Sequence, residues 1–166
     1  MIYLTHEEGC APVYQTKNAA CADVVAKEDT VIPSIRFQQD GAGALCNCTM
    51  PPVVMVPTGL RIQAVDSAGM VGGFVPELQL RARSGLSADG LLLATGVGTI
   101  DCDYRDEILV PLINLSGREI TIQKGERIAQ LTLGLRARLM SASVVDVERE
   151  GGFGSTGKGS SGIIVP

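Results

Sequence analysis

Tryptophan is absent and aromatic residues make up only 4% of the 166 residues, so a core has to rest on Val, Ile, Leu and Ala. There is one histidine, His6. It lies far from the single Cys-x-Cys pair, Cys46 and Cys48, and no second pair completes a tetrahedral ligand set. Buried or incidental thiols are therefore a better reading than zinc. Positive charge is in deficit: 14 Lys and Arg against 18 Asp and Glu leave a net charge of -4. That balance speaks against a nucleic-acid binder working by neutralising many phosphates. A small phosphate ligand stays open, because local arginines and a metal ion outweigh a mild global charge. No apolar run reaches the ~18 residues of a membrane span. The cysteine count, five, is odd, and the opening MIYLTHEEG has no charged-then-apolar leader pattern. Reduced thiols in a soluble, cytoplasmic protein without a membrane partner are the expectation.

What is present is enough for one domain, since 45% of the residues are hydrophobic. They fall in short β-branched or alternating runs bounded by Gly, Pro, Ser or Asp: TVIPS, PPVVMVPTGL, LRIQAVD, GFVPELQLRA, EILVPLINLS, EITIQKG, RIAQLTLGL and SASVVDVE. In EITIQ, Ile120 and Ile122 share one face and Thr121 and Gln123 the other, as in a half-buried strand; ELQLRA alternates the same way. ILVPLINL is apolar on both faces, which places it inside a closed β-structure or at a subunit contact. SGLSADGL holds at most one short helical turn. The fold class expected is all-β, a barrel or sandwich.

Two segments stand apart. Residues 37–52, FQQDGAGALCNCTMPP, are a Gly-rich, proline-terminated interruption, either a surface excursion or a binding loop, with a tolerated insertion the preferred reading. From Arg149 onward, REGGFGSTGKGS is too poor in apolar residues to pack, yet Phe153 is one of only three phenylalanines. The division expected is 1–148 as a β domain with 37–52 inserted, and 149–166 as a flexible Gly-rich tail.

Several short motifs carry chemistry. RARSGLS, residues 81–87, sets a guanidinium, a hydroxyl and open backbone N–H groups together, which suits phosphate oxygens; its bland alternative is a turn after a strand. GVGTIDCDYRDE, residues 96–107, has Gly96 and Gly98 for a tight bend, with Tyr104 three residues beyond Asp101. A strand–turn–strand hairpin here exposes main-chain groups to a planar ligand and aims one carboxylate at a water, or is an acid-rich surface turn. KGERIAQLTL carries Gln130 among apolar neighbours, and NAACADVVAKED places Asp23 amid small residues. Taken one at a time, each motif favours the bland reading.

Order and spacing alter that. AACADVVA, RSGLS, GVGTIDCDYRDE, GERIAQL and GGFGSTGK occur in sequence between residues 18 and 158. Together they resemble the five motifs of the trimeric deoxyuridine triphosphatases. The resemblance implies a jelly-roll-like β-barrel, a homotrimer with each site shared among subunits, and Mg2+-dependent hydrolysis of dUTP to dUMP and pyrophosphate. That reaction keeps uracil out of DNA and supplies dUMP for thymidylate synthesis. By resemblance, Asp23 helps hold the magnesium ion, largely through its waters. Arg83, Ser84 and Gly85 bind phosphates, with Gln130 near them. Asp101 is catalytic and orients the attacking water. Tyr104 packs under the deoxyribose, and main-chain groups of the 96–101 segment, with Gly96, Gly98 and Ile100, read the uracil. Phe153 covers the base, flanked by Arg149 and Gly154, and Ser155 and Thr156 contact the γ-phosphate. Two alternatives stay open beside this one: a dCTP deaminase of the same fold, and a non-catalytic or moonlighting regulator binding protein partners.

Overall fold

The computed structural model describes residues 1–65 and 74–137. The longest pairing joins β8 (Phe74–Arg81) to β13 (Arg127–Ala137), antiparallel from Phe74 opposite Ala137 to Arg81 opposite Gln130. β10 (Val97–Asp101) adds to the free side of β8, and β2 (Ala22–Val25) to that of β13, giving the order β10-β8-β13-β2. A second sheet has β11 (Leu109–Asn114) between β6 (Val54–Pro57) and β9 (Leu91–Leu93). Two-stranded pairs of β1 (Ile2–His6) with β7 (Leu60–Val65), and of β3 (Thr30–Ile32) with β12 (Ile120–Ile122), complete the frame. The chain passes repeatedly from one sheet to another, in an all-β arrangement of jelly-roll type.

One core fills the space between. Val24, Ile32, Val56, Leu60, Ile62, Leu80, Val110, Leu112, Ile122 and Ile128 are all buried in it, and among the described residues no aromatic ring joins them. A core of branched aliphatics holds β-branched side chains at low entropic cost on a pleated surface. β11 is the central strand of its sheet and is buried on both faces, as its unbroken apolar run requires. β12 alternates as its sequence predicts, with Thr121 exposed between Ile120 and Ile122.

Two expectations are corrected. ELQLRA is not half-exposed. Leu78 and Leu80 enter the core, but Glu77 and Gln79 on the opposite face are buried as well. They survive burial because they bond one another: Gln79 Nε2 donates to Glu77 Oε1 at 2.7 Å, Arg81 Nη2 to Gln79 Oε1 at 2.7 Å, and Arg136 Nε to Glu77 Oε1 at 2.7 Å. Gly134 makes room for this row, since a Cβ there would lie 2.8 Å from Glu77 Oε1. Second, residues 96–107 do not form a hairpin. β10 pairs with β8, and the chain beyond the turn enters a different sheet, where Ile108 N donates to Leu60 O and β11 begins. The 37–52 segment, expected as a surface excursion or a binding loop, takes the form of a hairpin of β4 (Arg36–Gln39) and β5 (Leu45–Thr49). Asp40 Oδ1 accepts from the N–H groups of Ala42 and Ala44, and Gly43 takes φ +83°, which closes the turn. β1, β2 and β9, too short or too mixed to read as strands, are further additions. The helical turn at SGLSADGL is α1 (Ser84–Ala88). SASVVDVE lies outside the described residues, as does the 149–166 tail.

Candidate functional site

The residues singled out from the sequence gather at two places. The first is at the β2–β13 end of the four-stranded sheet. Asp23 stands opposite Gln130, which stands opposite Arg81, so all three project from the face turned away from the core. Asp23 is only 3% exposed. A carboxylate so buried needs charged partners, and it has them. Oδ2 accepts from Arg127 Nη1 at 3.1 Å; Oδ1 accepts from Gln130 Nε2 at 3.0 Å and faces Arg83 Nε at 3.5 Å. Arg83 also donates from Nη1 to the carbonyl of Arg127 at 2.9 Å. It sits in extended conformation just before α1, with Ser84 and Gly85 exposed behind it. The residues expected to bind phosphate are thus together, with one carboxylate between two guanidiniums.

Arg127 was not foreseen. Strict alternation from Gln130 puts residue 128, not 127, on the outer face. A β-bulge between Arg127 and Ala129 turns both Ile128 and Ala129 into the core and delivers Arg127 beside Asp23. A bulge leaves no mark in a single sequence.

The second place is a pocket of about 230 Å³ at the outer edge of β10, between the two main sheets. Gly98, Ile100, Asp101 and Tyr104 line it with Leu80, Met55 and Pro111. β10 is an edge strand, so the backbone groups on its unpaired side are not used by the sheet. Gly98 faces Leu80: a Cβ there would sit 3.2 Å from Leu80 Cβ, pressing on the pocket floor. Gly96, at φ +69°, makes the bend that starts the strand. Asp101 ends it, exposed, and no described residue donates to its carboxylate. The chain then turns sharply, with Tyr104 N donating to Asp101 O at 3.0 Å.

That turn is tied down from below. Tyr104 Oη donates to Glu107 O, and Glu107 Oε1 accepts from Gly59 N at 2.7 Å. Lys27 lies 2.7 Å from Glu7 and 3.6 Å from Glu107. The hydrogen bond to Glu7 raises the Lys27 amine above its usual 10.5; burial opposes it, and the nearby Glu107 and Glu7 charges add to the rise. Glu107 and Lys27, too, were unmarked in the sequence.

The two places are well separated. Three strand intervals and four residues of rise put Asp23 and Asp101 about 20 Å apart within one chain. Arg149, Phe153, Gly154, Ser155 and Thr156 lie outside the described residues. Among the described residues no three His, Cys, Asp or Glu side chains converge on a metal position. With its oxygens already engaged, Asp23 does not fit direct ligation of magnesium, and the described residues form no cage for it. No helix among them is long and apolar enough to cross a membrane.

Comparison with known proteins bears on both places. Residues 7–162 match the dUTPase family. The chain is 38% identical over 159 residues to the deoxyuridine 5'-triphosphate nucleotidohydrolase of Rickettsia massiliae, covering 93% of each. Among solved structures it is similar to a mutant of the Staphylococcus bacteriophage 80alpha dUTPase with dUpNHpp. There the TM-score is 0.66 at 19% identity, covering 98% of this chain and 99% of that one. It is also similar to a mutant dUTPase from phage phi11 of S. aureus, described for its coordination of a structural Mg(II) ion. That TM-score is 0.63 at 16% identity, covering 90% and 99%. A match spanning both the arginine cluster and the β10 pocket, with five ordered motifs and a jelly-roll-type fold, leads to one conclusion: the chain belongs to the dUTPase family.

Proposed function

We propose that the protein hydrolyses dUTP to dUMP and pyrophosphate, in sites shared between the subunits of a homotrimer. The observation that carries this is the β10 pocket, where Gly98, Ile100, Asp101 and Tyr104 meet at an unpaired strand edge. Uracil presents an N3–H donor between two carbonyl acceptors, which an exposed β edge matches with alternating C=O and N–H groups. Cytosine reverses part of that pattern and leaves buried groups unsatisfied, which disfavours the deaminase alternative. Tyr104, held by the Glu107 anchor, packs against the deoxyribose and leaves no room for a 2′-hydroxyl.

The chemistry is positioning and charge stabilisation. Asp101, open to solvent at the end of β10, accepts a proton from a water and aims it at the α-phosphorus; pyrophosphate leaves as the P–O bond on the far side breaks. Reacting atoms must come within about 3–3.5 Å. The phosphate-binding cluster of the same chain is far beyond that reach, so Arg83, Ser84, Gly85 and Gln130 come from a neighbouring subunit. Phe153 of the tail covers the base, and Arg149, Gly154, Ser155 and Thr156 close over the phosphates. Magnesium enters as the counter-ion of the triphosphate and not as a resident of the protein.

Pyrophosphate release from dUTP, dCTP, dTTP and UTP tests the reading. Wild-type protein turns over dUTP alone, and Asp101→Asn loses about 10²–10⁴-fold in kcat, the size expected for removing a proton acceptor, while still binding a non-hydrolysable analogue. Equal rates for the two proteins, or ammonia release from dCTP, would sink it.

A further inference from the structure

We infer that Asp23 is a positioning residue: its buried carboxylate sets Arg127, Arg83 and Gln130 as a ready-made cradle for the triphosphate, independently of any divalent cation. The inference rests on the proposed reading of this cluster as the phosphate end of the site.

Four observations support it. First, the carboxylate is already occupied. A carboxylate has about four lone-pair positions; Oδ1 meets Gln130 and Arg83, and Oδ2 meets Arg127. At 3% exposure, little of the carboxylate is left facing solvent. Second, the ring is closed. Arg83 binds the carboxylate through Nε and the backbone of Arg127 through Nη1, while Arg127 returns to the carboxylate through its own Nη1. Moving any one member disturbs the other two. Third, the Asp23 backbone is clamped on both sides. It lies opposite Gln130 in β13 and exchanges two hydrogen bonds with Val13, at 2.8 and 3.1 Å. Fourth, one negative charge among two positive ones leaves the cluster net positive, which attracts an anion and repels a cation. Two guanidiniums anchored on one carboxylate bind phosphate with less rotamer freedom left to lose.

The test is a set of dissociation constants for the α,β-imido analogue of dUTP, measured in Mg2+ and in EDTA. Wild type, Asp23→Asn, Arg127→Met and the double variant are compared. Asp23→Asn is expected to weaken binding about 10- to 100-fold by the same factor in both media. The double variant is expected to be scarcely worse than either single one, because both break the same ring. A loss seen only in Mg2+ would make Asp23 a reader of the metal's waters and overturn the inference; so would additive losses. Arg127 is half exposed, so its replacement leaves the fold intact, and Arg127→Met alone must show the magnesium-independent loss even where Asp23→Asn does not fold. Wild-type protein that neither binds the analogue nor hydrolyses dUTP would instead refute the proposed function, an outcome distinct from both.

Discussion

Asn114 shows how much one side chain carries beside a core that, among the described residues, holds no aromatic ring. It is fully buried and uses all its hydrogen-bonding capacity: Nδ2 donates to Ile32 O and Arg118 O, while Oδ1 accepts from Ser116 N and Ser116 Oγ. It thereby joins β3, the end of β11 and the turn before β12. Asn114→Ala removes the side-chain donor of the Ile32 carbonyl and the acceptor of Ser116 N, leaving Arg118 O only its bond from Ser116 Oγ, and is expected to cost about 2–4 kcal/mol, read from urea unfolding. Asn114→Asp is expected to cost more, because it sets a carboxylate against those carbonyls. Lys27 gives a pH signature at the same scale. Its amine is raised in the folded protein by Glu7 and Glu107. The stabilisation is therefore complete below pH 10.5 and is lost as pH climbs through the raised value. Thermal midpoints across the alkaline range should fall more steeply for wild type than for Lys27→Met; parallel curves would contradict the ion-pair assignment. Neither residue stands out in the sequence, because an asparagine in an apolar run and a lysine after a strand have many ordinary explanations.

At the scale of elements, the β4–β5 hairpin forms its own two-stranded sheet, apart from the rest. Its register sets Phe37 beside Cys48 and Gln39 beside Leu45 on one face, with Gln38 bonded to Asn47 on the other. Phe37 and Leu45 are exposed. Since none of its strands pairs with the core sheets, replacing residues 37–48 by a short Gly-Ser turn is expected to shift stability by less than about 0.5 kcal/mol in either direction. A large drop in the unfolding midpoint would show that the hairpin supports the frame. Its turn chemistry was visible as Asp40 and Gly43, but its strands were hidden, because short polar runs such as RFQQ lack the apolar alternation that marks a strand. By contrast β11, β12 and β13 were legible, since each satisfies a buried face that its own residues announce.

For the whole molecule, the separation of Asp23 from Asp101 has a consequence. If Arg83 and Asp101 of one site come from different subunits, two inactive proteins should rescue each other. Arg83→Ala and Asp101→Asn, unfolded together and refolded as a mixture, are expected to regain activity at about a quarter of the sites by random assortment. Each refolded alone stays inactive. No recovery in the mixture would place the whole site within one chain and refute the shared-site proposal.

The sequence by itself determined the β class, the aliphatic core, the one helical turn and the five motifs that mark the dUTPase family. Each of these is written locally, in period, turn chemistry or short ordered strings. Tertiary structure alone decided that Asp23 is enclosed by two arginines, that Glu77 and Gln79 are buried, that β10 is an edge, and that Lys27 and Glu107 anchor Tyr104. Those facts depend on which strands become neighbours and on one bulge in β13. They arise from contacts between residues tens of positions apart, where a carboxylate finds its guanidinium only after the chain has closed on itself.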